Sequence, residues 1–313
     1  MLLSRVAENL YWAARYLERA EDTARIIREH TNLMVDLPTS VAVTWEPLLA
    51  ILGGRTEFDA RHERADEQAI VRHLVADRVN PGSILMSVEQ AREDLRTCRE
   101  VIPREAWQAL NDLYLYVASH HLDGVARPSR SRFLERVIGE SLRVEGFLVS
   151  TMSRDEAYEF VRLGRALERA DMTTRVLDVR AGSLMAGDSS DRHADVQWMS
   201  VLRSLSALQM YHRATRLPVE GPATVRFLLH DPAFPRSVTY CLAVASDSLG
   251  RLPLADQVRP ACEEARDLLD GAPIDDLDGA TLHELADQLQ IAVGAIHDRV
   301  MATYVGSRAP VGS

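Results

Sequence analysis

Two stretches of this chain set glutamate and arginine side by side in the same order. The first reads NLYWAARYLERAEDTARIIR over residues 9–28, the second EFVRLGRALERADMTTRVLD over residues 159–178. Carboxylates at such positions can take a proton, which makes Glu18 and Glu168 the candidate general bases. Arg15, Arg19, Arg165 and Arg169 offer planar guanidinium forks suited to a carboxylate or phosphate. Arg236 joins them as a candidate ligand for an anion. It lies in Pro235-Arg236-Ser237 at a helix start, where backbone N–H groups favour negative charge. The other reading of Arg236 is a surface arginine beside a capping Ser237.

The first stretch contains no Gly or Pro and is rich in Ala, Leu, Arg and Glu, so it predicts a helix, and the second returns the same pattern. With Arg15 set on Arg165, the match runs without gaps through Leu17/Leu167, Glu18/Glu168, Arg19/Arg169, Ala20/Ala170, Thr23/Thr173 and Arg25/Arg175. A repeat of this length predicts an internal duplication. On the wheel, Leu10, Ala13, Leu17, Ala20, Ala24 and Ile27 form one apolar face. The opposite face mixes Arg15, Glu18, Arg19 and Asp22 with Tyr11, Trp12 and Ile26. Apolar residues on both sides predict a central helix with buried charges, and buried charges require partners. Arg15–Glu18 and Arg165–Glu168 are spaced for local pairing. Arg19 and Arg169 are then expected to bond across helices, to acids of the opposite copy or to Glu89 or Glu93.

The rest of the chain repeats the same order of landmarks. Ser4 is expected to cap the first Glu-Arg helix. A helix near Trp45 ends at Gly53-Gly54, and helical periodicity continues through residues 55–78. Asn80-Pro81-Gly82-Ser83 opens a long helix, another begins at Arg104, residues 122–129 read as a loop, and a helix follows to Met152. In the second part, Trp198 answers Trp45 and Phe234-Pro235-Arg236-Ser237 answers the first Pro-x-Ser start. The expected fold is all-α, a helical bundle of two duplicated halves, 1–150 and 151–305, related by a pseudo-twofold axis. Residues 306–313 read as a flexible tail.

The 313 residues carry a net charge of −10, which argues against nucleic acid and anionic membrane as partners. No stretch approaches a membrane span and the N-terminus has no signal-peptide core, so a cytoplasmic location is expected. Cys98, Cys241 and Cys262 have no metal-like spacing and fit a reducing compartment. Paired Glu-x-x-His motifs, His-Glu-x-x-His, a phosphate-cradling loop and Gly-x-Ser-x-Gly are absent from the sequence. No metal and no cofactor are expected. The arginines among the acids would compete with a metal ion for the carboxylates.

Taken together, SRVAENLYWAARYLERAEDTAR, NPGSI followed by AREDLR, EAWQALNDLY, LGRALERADMTTRVLD and FPRSV resemble the bacterial alpha-E family over nearly the whole chain. That family takes its name from its helical fold and Glu-Arg motif, which falls here on Glu18, Arg19, Glu168 and Arg169. Its members are typically encoded beside, or fused to, a circularly permuted ATP-grasp protein, often with a transglutaminase-like protease. The resemblance implies a role in ATP-dependent amide or peptide synthesis, with the activating ATP-grasp function on a partner. The chain is then a helical partner that binds a small acidic or peptide-like substrate at the Glu-Arg site. Two other readings stand beside it. One is an independent enzyme with Glu18 or Glu168 as base. The other is a structural subunit stapled by buried Glu-Arg pairs.

Overall fold

The computed structural model describes residues 2–38, 43–181, 184, 193–274 and 277–306. Among these residues there is no strand, and the fold is all-α. Residues 307–313 of the expected tail, and most of the linker-like stretch after Ala181, lie outside the described residues.

The first Glu-Arg stretch forms α1, Ser4–Asp36, 33 residues long, or roughly 50 Å at the rise of an α-helix. Its N-cap is Leu3, with no side-chain cap. Ser4 is the first helical residue and not the expected cap. The short α2 (Pro47–Leu52), α3 (Arg55–Asp59) and α4 (Glu67–Val75) follow. The sequence periodicity over 55–78 therefore resolves into two short helices. Ser83 caps α5 (Ile84–Arg96), its hydroxyl accepting from the Met86 amide at 3.2 Å.

The expected loop at 122–129 is helix instead. α6 (Arg104–Val125) and α7 (Arg127–Thr151) are joined by Ala126 alone. Pro128 sits in the first turn of α7, where its missing N–H costs nothing. Gly124 lies under Phe133, a ring that a Cβ there would meet at 2.5 Å.

The second Glu-Arg stretch forms α8, Glu156–Val176, continued by a π turn at Leu177–Ala181. Asp155 caps it by accepting from the amides of Ala157 and Tyr158. Then come α9 (Ala194–Ser204), α10 (Leu208–Thr215), α11 (Gly221–His230), α12 (Val238–Gly250), α13 (Arg259–Asp270) and α14 (Gly279–Val300). Ser237 caps α12 as Ser83 caps α5.

α1 and α8 pack on each other at the centre. α5 and α7 cover α1, and α12 and α14 cover α8. Every residue from 20 to 27 of α1 is buried, charged ones included. No face of that stretch reaches water, as the two-sided apolar pattern implied. The two central helices approach closely at Gly164, where an ideal Cβ would stand 2.3 Å from the Tyr11 carbonyl oxygen.

That contact is backbone against side chain position, with nothing flexible to give way. Gly164→Ala should therefore lose about 2–3 kcal/mol or more through overpacking. Gly139→Ala, on α7 with open space around the new methyl, should gain about 0.5–1 kcal/mol from helix propensity. Denaturant midpoints that shift in opposite directions for the two variants are the expected outcome.

Candidate functional site

Glu18 and Glu168 face each other's arginines across the α1–α8 contact. Glu168, 1% exposed, accepts from Arg15 Nε at 2.7 Å and from Arg19 Nε at 2.6 Å. Glu18, 3% exposed, accepts from Arg169 Nε at 2.7 Å, and Arg236 Nη2 lies 2.7 Å from the same oxygen. Arg19 and Arg169 thus bond reciprocally to the glutamate of the opposite helix, as expected from their spacing.

Three expectations fail here. Arg15 bonds Glu168 across the interface and not Glu18 in its own helix. Arg165 bonds Glu145 of α7 at 2.7 Å and not Glu168. Glu89 and Glu93 take no part, since Glu89 pairs with Arg78 and Glu93 with Arg92 and Arg96. The reason is common to all three. Helices that meet along their charged faces offer each carboxylate two guanidinium groups at once, which outweighs an i,i+3 pair worth a few tenths of a kcal/mol.

Arg236 is neither on the surface nor open to an incoming anion. It is buried, with Nη1 donating to Asp22 at 2.6 Å and Nη2 to Glu21 at 3.0 Å. Glu21 also accepts from Arg25, and Thr173 on α8 fixes the Arg236 carbonyl at 2.8 Å. The anions that Arg236 binds belong to the chain itself.

The electrostatics follow from this crowding. Arg169 and Arg236 hold the Glu18 carboxyl down at about 2 against the pull of burial, and Arg19 with Arg15 does the same for Glu168. Both are locked as carboxylates and far from the pH at which a general base works best. A void of about 20 Å³ lies beside Glu18 between α1, α7 and α8, room for roughly one water. The general-base reading therefore loses support. Asp22 goes the other way. Burial pushes its carboxyl up to about 8, with Glu18 and Glu21 adding to the rise and Arg236 opposing it. Its second oxygen has no hydrogen-bond partner among the described residues.

Glu18, Glu21 and Glu145 bring one oxygen each within 4.8 Å of one another, a separation that suits a cation. Arg165, Arg169 and Arg236 already bond those acids and supply the positive charge. The thiols are held away from the reactive thiolate form. All three cysteines are buried, with Cys241 pushed up to about 12 and Cys262 to about 11 by desolvation.

An open site does adjoin the network. A cleft of about 580 Å³ lies between α7, α8 and α12, and Arg165 and Arg169 form part of its wall. Arg154, Arg162 and Arg251 complete a lining of five arginines, set against Glu145, Glu159 and Asp247. Arg162 bonds both Glu159 and Asp247 at 2.9 Å. The Arg154 guanidinium lies 3.9 Å from the centre of the Tyr158 ring. Of the candidate ligand-binding arginines, the structure brings Arg165 and Arg169 to this cleft and leaves Arg15, Arg19 and Arg236 in the buried network. Sequence reading missed Arg154, Arg162 and Arg251. Arg162, Arg165 and Arg169 stand at i, i+3 and i+7 on α8, a stripe that spacing alone could have marked. Arg251 belongs to a distant helix and left no such signal.

On the far side of α1, Arg15 Nη1 donates to the Tyr11 hydroxyl at 3.2 Å, and that hydroxyl lies 2.8 Å from His297 Nδ1 on α14. Desolvation lowers the His297 imidazole from its ordinary value, so the neutral ring is favoured as the acceptor of the Tyr11 proton.

Replacing Arg236 by Leu strands the Glu18 and Glu21 carboxylates with too little positive charge and leaves Asp22 without its donor, and should cost about 3–5 kcal/mol. Adding Asp22→Asn to that variant replaces the carboxyl that has lost its donor by a neutral amide and should recover part of the loss above pH 8, where Asp22 would ionise. The pH profile carries two opposite signs. Glu168, at about 2 against its ordinary 4.5, supplies stability that is complete above pH 4.5 and is lost as pH falls toward 2, on the order of 3 kcal/mol. Asp22, raised from 3.8 to about 8, supplies stability that is present below pH 3.8 and lost as pH rises toward 8. Denaturation of Asp22→Asn should therefore show a flatter stability curve than the parent between those two values.

The chain is similar to an uncharacterized protein of Mycobacterium bovis and to one of Mycobacterium tuberculosis strain CDC 1551, each 25% identical over 270 residues. A further uncharacterized protein, from Mycobacterium tuberculosis strain H37Rv, is 24% identical over the same length. Each match covers 80% of this chain but 30% of the relative, so the chain spans about a third of the length of these relatives. No solved structure matches it. Residues 2–305 match the model of Alpha-E, described as a predicted alpha-helical domain with a conserved ER motif. With the Glu-Arg pairs of that description at the centre of an all-helical fold, this chain belongs to the Alpha-E family.

Proposed function

We propose that this chain is the helical partner of an ATP-grasp peptide or amide ligase and holds an acidic or peptide-like substrate in the cleft between α7, α8 and α12. One observation carries the reading. The cleft sets five arginines against three acids, a lining that answers carboxylates with guanidinium forks and amino groups with carboxylates. Arg165 and Arg169 tie it to the Glu-Arg helices. The relatives extend well beyond the matched region, which leaves room in them for a second activity.

The buried network has a separate task in this reading. Glu18, Glu168, Arg15, Arg19 and Arg236 are saturated by one another, which favours a structural staple over a ligand site. The network would fix the two central helices, and α8 would carry the cleft. The same pairs support a duplication of halves 1–150 and 151–305 about a pseudo-twofold axis. Arg19 reaches Glu168 as Arg169 reaches Glu18. Ser83 and Ser237 cap equivalent helices, and Trp45 and Trp198 are both buried. The halves differ in a matched way. Asp22 corresponds to Met172, and its partner Arg236 corresponds to Gly82, so the symmetry-related pair of positions lacks both the acid and the base. A buried charge and its counter-charge are kept or lost together because either alone is costly.

Co-purification with a genomically adjacent ATP-grasp protein, followed by mass spectrometry of the product made with ATP, tests the reading. Arg162→Ala and Arg165→Ala each remove a charge-assisted contact worth about 1.5–3 kcal/mol. Each should lower product formation per folded molecule by roughly 10-fold or more, with a lower melting midpoint for Arg162→Ala, which strands the buried Glu159. Full product yield from both variants, or from the ATP-grasp protein without this chain, would overturn the proposal.

A further inference from the structure

Away from the cleft, on α3, α4 and the turns beside them, His62, His73 and Asp77 converge. One nitrogen or oxygen from each lies within 4.8 Å of the other two. We propose that these three residues form a binding site for a divalent transition-metal ion of the zinc class.

The argument starts with the tautomer of His73, which is buried. Its Nε2 lies 3.1 Å from the Gly54 carbonyl oxygen. A carbonyl oxygen only accepts, so Nε2 carries the proton. In a neutral imidazole the other nitrogen, Nδ1, then presents a lone pair. That lone pair faces Asp77 Oδ2 at 3.3 Å. Two acceptors set against each other repel unless a positive charge meets both lone pairs, and Arg61 reaches Asp77 alone. A tetrahedral ion with ligands about 2.0–2.1 Å away separates neighbouring ligand atoms by roughly 3.4 Å, close to the observed spacing.

The surroundings are those of a metal-ligating histidine, whose second ring nitrogen ordinarily donates to a carbonyl or carboxylate. Gly54 makes that contact possible. It adopts φ 82°, in the left-handed region, and a Cβ on it would stand 2.7 Å from His73 Nε2. The second imidazole, His62, is held by stacking on the buried Phe58 ring at a centroid distance of 4.5 Å. Asp77 is fixed through Oδ1, which accepts from the Val79 amide at 3.0 Å. Its Oδ2 accepts from Arg61 Nη1 at 2.6 Å, which uses one lone pair and leaves the other toward His73. Two imidazoles and one carboxylate suit zinc, with water in the fourth position. The bound ion would tie the turn after α3 to the C-terminal end of α4.

The rival occupant of the gap is a proton. Protonation of Nδ1 would turn His73 and Asp77 into an ion pair at the same 3.3 Å, but would not involve His62. The experiment uses that difference. Chelator-treated, dialysed full-length protein is titrated with Co²⁺ as a spectroscopic probe, and the bound ion is then displaced with Zn²⁺. Saturation at one equivalent, with the intense visible bands of tetrahedral cobalt and a higher melting midpoint in Zn²⁺, is the expected result. Loss of an outer-shell partner costs roughly 10–100-fold in metal affinity, so loss of the direct ligand in His62→Ala should weaken Co²⁺ binding by at least that factor. The circular dichroism of the metal-free variant should match the parent, since His62 lies at the half-buried edge of the site. Failure to saturate at one equivalent, or equal Co²⁺ affinity in His62→Ala, would overturn the proposal and leave the proton as the occupant.

Discussion

A guanidinium or carboxylate taken out of water needs an opposite charge at hydrogen-bond distance, and this constraint shapes the centre of the molecule. Residues 20–27 of α1 have no wet face, yet they include Glu21, Asp22 and Arg25. Each finds its counter-charge on its own helix or on the segment leading into α12. One turn earlier, Glu18 and Arg19 find theirs on α8. Pairs of this kind add little net stability over well-packed apolar residues, because desolvation consumes most of the Coulomb gain. Their effect here is on register. A shift of one residue along α1 would turn Arg15 and Arg19 by about 100° and leave Glu168 buried without a partner. The close approach of Gly164 to the Tyr11 carbonyl marks the same register in the backbone. Sterics and charge therefore select one alignment of the central helices.

The network also divides labour with the cleft beside it. Arg169 bonds Glu18 through Nε and Glu145 through Nη2, so one guanidinium belongs to the buried staple and to the wall of the open site. Arg165 is held by Glu145 in the same way. Side chains fixed on one edge by buried acids keep little conformational freedom to lose, which is the physical condition for preorganisation. The acids of the cleft likewise keep Arg162 and Arg251 aligned in its absence.

Much of this was legible in the sequence, and the limits have physical causes. The two central helices, their burial on both sides and the crossing of Arg19 and Arg169 follow from periodicity and from the cost of unpaired charge. Those arguments depend only on local geometry. The partner of Arg15 does not, since an i,i+3 neighbour and a residue 153 positions away compete and only packing decides between them. The loop expected at 122–129 failed because Pro128 and Gly124, both turn residues in isolation, have helical roles once Phe133 packs over the glycine. For Arg236 the anion preference was readable, but not that the anion would be Asp22. The cleft arginines were half visible, as a stripe on α8 with no hint that α7 and α12 would enclose it.

The same reasoning separates the two clusters of ionisable groups that could be mistaken for one another. Glu18, Glu21 and Glu145 converge as closely as His62, His73 and Asp77. In the first cluster, guanidinium groups from α8 and from the turn before α12 already lie against the oxygens, so the positive charge is part of the chain. In the second, Arg61 meets one lone pair of Asp77 from the exposed side, while the His73 nitrogen on the inner side has only another acceptor before it. Convergence of acids does not by itself mark a cation site. What distinguishes the two is whether the protein's own donors already meet the lone pairs, and near His73 they leave one facing the carboxylate.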